Sequence, residues 1–122
     1  MFLLDAEILF DLRHARADGD GAALAGWAQR TSRQSMFLSA LSLVELENPA
    51  ALAAKQSKAA GAAWRDWIDG QVLPAFEGRV LPVDLPIARR RAALSLDSDR
   101  DALLAATALE HGLMFATYRG AA

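Results

Sequence analysis

Four short apolar runs punctuate the chain: "MFLLD" (1–5), "MFLSA" (36–40), "RVLPVD" (79–84) and "LMFAT" (113–117). The first is uninterrupted by polar residues until Asp5, the pattern of a strand buried on both faces. Between the runs the apolar residues recur at helical spacing. "AEILFDLRHAR" (6–16) sets Ile8, Leu9 and Leu12 on one side, "ADGDG" (17–21) reads as a turn, and residues 22–30 suit a second helix. From Ser42, "SLVELENPAALAAKQSKAA" (42–60) is helical in composition, with a kink or restart expected at Asn48-Pro49 because proline lacks an amide proton. A helix is expected over 62–76, where Trp64, Trp67, Ile68 and Val72 recur, and another over "PIARRRAAL" (86–94), which opens with proline in its first turn. The last helix, "SDRDALLAATALEHG", ends at Gly112 as a C-cap. Strands alternating with helices predict an α/β chain whose mainly parallel sheet is covered on both faces.

The 122 residues are expected to form one domain, 1–122, around a single core. There is no cysteine, so disulfides and thiolate metal sites are excluded, and a reducing cytoplasm is the expected location. Met1 leads directly into an apolar run without a preceding basic segment, so no secretory signal is expected, and no apolar stretch is long enough to span a bilayer. A net charge of −2 gives no general attraction to polyanions. Arg89, Arg90 and Arg91 point in different directions on a helix and are expected to form a solvated face.

Three acids stand beside element ends. Asp5 closes the first strand, at the carboxyl edge where open parallel sheets bind ligands. Glu45 follows the second strand among Leu43, Val44 and Leu46, and Asp101 lies in the first turn of the last helix. Each has a plain structural explanation. Asp5 suits an N-cap, Asp101 suits the helix dipole and a capping box with Ser98, and Glu45 suits a boundary position. Gathered in one cleft, the three would repel one another unless a divalent cation neutralised them, and oxygen-only ligands suit Mg²⁺ or Mn²⁺.

The blocks "MFLLDAEILFDLR", "FLSALSLVELE", "WRDWIDGQVLPAFEGRVLPVDLPIARRRAAL" and "RDALLAATALEHGLMFAT" resemble, in order, a PIN domain of the VapC or FitB toxin type. The last block is the most specific. The resemblance implies a three-layer α/β/α fold with a mainly parallel sheet of about four strands. It further implies that Asp5, Glu45 and Asp101 bind Mg²⁺ (or Mn²⁺) and carry out RNA hydrolysis, with a cognate antitoxin and a homodimer as partners. The chain departs from the family in having Ala6-Glu7 after the first aspartate and in stopping at "YRGAA" after Thr117, where the family continues to a further acid and a last strand. It therefore reads as a C-terminally truncated or divergent member, with Glu7 or Asp99 as candidates for an auxiliary metal ligand.

His14 and His111 are not expected to bind metal; His111 suits the negative end of its helix. Trp27, Trp64 and Trp67 are expected to be core or interface anchors. Arg13, Arg100 and Arg119 are expected to pair with neighbouring acids, and Asp99 with Arg100 to shape the start of the last helix. A dehalogenase-like phosphatase lacks its second aspartate and lysine here, and a response-regulator receiver lacks its late lysine. The alternative that survives is a degenerate PIN-like protein, catalytically weak or inactive as a nuclease, that acts through dimer or antitoxin binding, for which an uncovered sheet edge is suited.

Overall fold

A computed structural model describes residues 1–15, 19 and 21–117; Arg16, most of the turn expected at 17–21 and Arg119 lie outside the described residues. Gly19 and Gly21, the two described residues of that turn, have φ of 101° and 75°, a region open to glycine at little cost. The strands are β1 (Phe2–Leu4), β2 (Met36–Ser39), β3 (Val80–Leu81) and β4 (Met114–Ala116), all parallel, in the order β3-β2-β1-β4. The helices are α1 (Ala6–His14), α2 (Ala22–Arg30), α3 (Ala40–Gln56), α4 (Lys58–Trp67), α5 (Leu73–Ala75), α6 (Leu85–Arg91) and α7 (Asp99–His111).

Side chains alternate across the sheet, and the register sorts them into two cores. Leu3 pairs with Phe37 and Phe115, and these residues face α7, where Leu104 and Ala108 are buried. Leu4 pairs with Leu38 and Ala116 on the opposite face, against Ile8, Leu9, Leu46, Trp67, Ile68 and Phe76. The result is the expected three-layer α/β/α arrangement with both sheet faces covered. Among the described residues β4 is an edge strand, and no helix is long and apolar enough to cross a membrane.

Three local expectations are corrected. The helix carrying Asn48-Pro49 does not restart there: α3 runs unbroken from Ala40 to Gln56 and ends at Ser57, whose hydroxyl accepts from the Ala60 amide and caps α4. Burial of Leu46 and Ala50 against the sheet holds the helix through the proline, so packing overrides the lost donor. The helix expected over 62–76 starts earlier, at Lys58, and loosens into a π-turn at Ile68–Val72, where the Leu73 amide donates to the Ile68 carbonyl. Pro74, the next residue, has no amide proton for Gly70. The third strand is only Val80–Leu81, because Pro82 cannot continue the ladder.

Arg79 fastens the chain before β3. Its guanidinium donates to the Met36 carbonyl at 2.7 Å and to the carbonyls of Arg33 and Ala75. The tryptophans are packed as expected: Trp67 is buried, Phe10 lies edge-on to Trp64 at 5.0 Å, and Phe2 edge-on to Trp27 at 5.2 Å. Arg13 stacks over Trp67, 4.9 Å from its centroid. Gly112 ends α7 with φ of 66°, in the left-handed region.

Gly61 permits close contact between α3 and α4. A Cβ there would lie 2.7 Å from both Cα and Cβ of Ala54. Alanine would gain about 1 kcal/mol of helix propensity, but the clash is with backbone and must separate the helices at a cost of about 1–3 kcal/mol. Gly61→Ala is therefore expected to be neutral to destabilising by about 2 kcal/mol in urea unfolding, where propensity alone predicts a gain.

Candidate functional site

The carboxyl edge of the sheet is where three helices receive their caps or begin nearby. Asp5 directly follows β1, is fully buried, and accepts through Oδ1 from the Ile8 amide at 3.0 Å, so it is the N-cap of α1. Ser39, the last residue of β2, caps α3 by accepting from the Leu41 amide at 3.0 Å, and Ser98 caps α7 by accepting from the Asp101 amide at 3.3 Å. Capping leaves the second oxygen of Asp5 available. Leu4 is in register with Ala116, so residues 5 and 117 emerge side by side, and Thr117 Oγ1 donates to Asp5 Oδ2 at 2.7 Å.

Arg100 joins the acids. Its Nε donates to Glu45 Oε2 at 2.6 Å and its Nη1 to Asp101 Oδ1 at 2.8 Å, while Nη2 stands 3.8 Å from Asp5 Oδ2. Burial pulls this guanidinium's pKa down, but hydrogen bonds to Glu45 and Asp101, with the nearby charge of Asp5, hold it above the ordinary arginine value. Folding thus brings Asp5, Glu45 and Asp101 onto one side chain from three separated segments. Asp99 turns elsewhere and pairs with Arg91 Nε at 2.9 Å, with its own side chain 86% exposed. Glu7 lies half-buried in the first turn of α1. The arginine run is only partly a solvated face: Arg91 holds Asp99, and Arg90 holds Glu110 at 2.7 Å, tying α6 to α7.

The three carboxylates carry a formal charge of −3 against +1 on Arg100, and the functional atoms are all oxygen, which suits Mg²⁺ or Mn²⁺. Among the described residues, Glu45 Oε1 and Ser42 Oγ, one turn apart on α3, are buried without a hydrogen-bond partner. A buried carboxylate oxygen in that condition is costly, and a cation would relieve it. In chemical kind and charge the residues fit such an ion. Among the described residues, however, no three acidic or imidazole groups form a set able to hold one metal, and the three carboxylates here contact the Arg100 guanidinium. A cavity of about 450 Å³ lined by Leu94, Leu96, Leu109 and Phe115 is apolar and includes none of these acids.

Arg100 pairs with acids as expected, its neighbour Asp101 among them, but not at the surface: it is 17% exposed and sits at the meeting point of all three acids. The available signal was its place in the first turn of α7, where a cation opposes the helix dipole and so needs strong compensation. Thr117 was legible as the end of the last strand but not as a donor to Asp5.

The chain belongs to the PIN domain family, which it matches over residues 2–119. It is 34% identical over 125 residues to VapC ribonuclease Y4jK of Sinorhizobium fredii (strain NBRC 101917 / NGR234), covering 96% of this chain and 86% of that protein. Its fold is similar to the crystal structure of FitAcB from Neisseria gonorrhoeae, with a TM-score of 0.82 and 26% identity over 96% of this chain and 86% of that one. FitAB bound to the IR36 DNA fragment gives a TM-score of 0.80 at 26% identity, over 96% of this chain and 84% of that one.

Asp5 has two separable tasks, capping and charge. Asp5→Ala removes both and leaves Arg100 and Thr117 facing a void, with an expected loss of about 2–4 kcal/mol. Asp5→Asn keeps a capping oxygen and should lose no more than about 1–2 kcal/mol. Urea unfolding of the two variants checks the ranking; equal losses would show that the cap contributes nothing.

Proposed function

We propose that this chain is a metal-dependent endoribonuclease, the toxin of a toxin–antitoxin pair, in which Asp5, Glu45 and Asp101 hold Mg²⁺ or Mn²⁺ and carry the hydrolysis of RNA phosphodiester bonds. One observation carries the reading: three acids far apart in sequence meet at the carboxyl edge of a parallel sheet, where Glu45 Oε1 lacks any partner. Kinship with a VapC ribonuclease supports the reaction class.

Bound there, a divalent ion supplies Lewis acidity toward water and positive charge toward the phosphodiester. The chain's own contribution is positioning. The Ile8 amide and the Thr117 hydroxyl fix both oxygens of Asp5, so little reorganisation is needed at that ligand. The positive ends of α1 and α3 add a favourable field for a polyanion. Glu7 stays in this proposal as an auxiliary acid at the start of α1. Asp99 drops out of it, since it is committed to Arg91.

Residues 1–122 act as one domain in this reading, located in the cytoplasm, with RNA as substrate and a cognate antitoxin as partner. The FitAB likeness supports a toxin–antitoxin assembly. A homodimer also belongs to the proposal, and Val44 and Leu52, exposed on α3, offer apolar surface for an interface.

Cleavage of RNA by the purified protein is expected in Mg²⁺ or Mn²⁺ and should stop with chelator. Asp5→Asn, Glu45→Gln and Asp101→Asn should each lower the rate by about 10²-fold or more while the proteins remain folded. Undiminished cleavage in all three would overturn the site assignment. An inactive wild type that still captures its antitoxin would favour the degenerate binding protein instead.

A further inference from the structure

We propose that Arg100 is a built-in counter-cation which occupies the acid cluster in the metal-free protein, that a divalent ion binds only by displacing it, and that Arg100 thereby sets the ion concentration at which the site fills. This rests on the reading of Asp5, Glu45 and Asp101 as ion ligands.

The argument turns on charge and reach. On charge alone, a dication could join Arg100: formal charges of −3, +1 and +2 cancel. Geometry opposes it. The three carboxylates approach three different nitrogens of a planar fork, at 2.6, 2.8 and 3.8 Å. A guanidinium presents those nitrogens in different directions, whereas an ion of the Mg²⁺ class draws its oxygens to about 2.1 Å from a single centre. Carboxylates spread around the fork are accordingly too dispersed for one ion, and no three acids among the described residues form a set able to hold one. Closing the cage requires the guanidinium to withdraw.

The location of Arg100 makes withdrawal feasible. It is the second residue of α7 and carries a long flexible side chain, 17% of which remains exposed. Its anchoring is strong enough to matter, since charge-assisted hydrogen bonds are about twice as strong as neutral ones. Its position at the positive end of α7 opposes it, so the acids alone retain it. A merely structural arginine and a displaceable one predict opposite signs. If Arg100 organises the acids for the ion, its removal weakens metal binding; if it competes, removal strengthens binding.

The test uses the full chain with Mn²⁺ alone, followed by electron paramagnetic resonance and by thermal unfolding with and without the ion. In Arg100→Gln the Mn²⁺ dissociation constant should fall at least tenfold, equivalent to about 1.4 kcal/mol. Metal-free Arg100→Gln should melt below the wild type, and Mn²⁺ should raise its Tm by more than it raises the wild type's. Arg100→Lys keeps the charge but loses the fork, so it should bind Mn²⁺ more tightly than wild type and less tightly than Arg100→Gln; it also serves if Arg100→Gln fails to fold. Unchanged or weaker Mn²⁺ binding by the folded variants, with binding intact in the wild type, would overturn the displacement proposal alone. Absence of Mn²⁺ binding from wild type and variants alike would overturn the ion-site reading together with it.

Discussion

The in-register pairing of β1 with both its neighbours is the constraint on which the rest depends. Leu4 stands opposite Leu38 on one side and Ala116 on the other, so the next residues, Asp5, Ser39 and Thr117, come abreast at the carboxyl edge of the sheet. That row begins two helices and supplies a donor to the buried acid: Asp5 caps α1, Ser39 caps α3, and Thr117 holds Asp5. A one-residue slip would turn Leu3 and Leu4 to the wrong cores as well as dispersing the row. The same alternation that fills the two cores therefore also aims the polar edge.

Electrostatics then decides what the edge can hold. Surface pairs such as Arg90–Glu110 are exposed enough that each contributes little. Around Arg100 the situation differs, because Asp5 is fully buried and the guanidinium largely so. Removing a partner there strands a charge in a poorly solvated place, which costs more than an intact pair contributes. The cluster is thus a weak source of net stability and a strong source of discrimination between states of charge.

The fold was legible to a large degree because its signals are local. Apolar runs, the Gly112 C-cap and the Ser98 cap each follow from a few neighbouring residues. Convergence of Asp5, Glu45 and Asp101 was suggested by their places beside element ends, but only the resemblance singled out these three together, since no local rule links positions so far apart. At Pro49, burial of Leu46 and Ala50 overrides what backbone chemistry alone dictates, while across Ile68–Val72 the helix loosens just before Pro74 yet keeps Ile68 and Val72 buried. For Arg100, the local sign was the dipole penalty of a first-turn cation, which names no partner and so leaves a surface pair and a buried cluster equally open. Glu45 shows the limit from the other side: its apolar neighbour Val44 is half exposed, so surrounding hydrophobicity did not measure its burial.

Departures from local rules are not spread evenly through the molecule. Most helix starts have a side-chain cap, the cores are apolar, and Arg79 spends its donors on backbone carbonyls. Against that background, Glu45 Oε1 and Ser42 Oγ are buried without partners on one face of α3, and Pro49 deprives the Glu45 carbonyl of its helical donor one turn on. Facing them, α7 carries a cation in its first turn. Stability gives no reason for these features to gather: leucine or alanine at 45 and 100 would remove the orphaned oxygen and the misplaced charge together. Local conflict is thus concentrated where three segments meet, and it fits the proposed ion site: Glu45 Oε1 is left with its full acceptor capacity, and each oxygen of Asp5, though held by one donor, keeps a second lone pair.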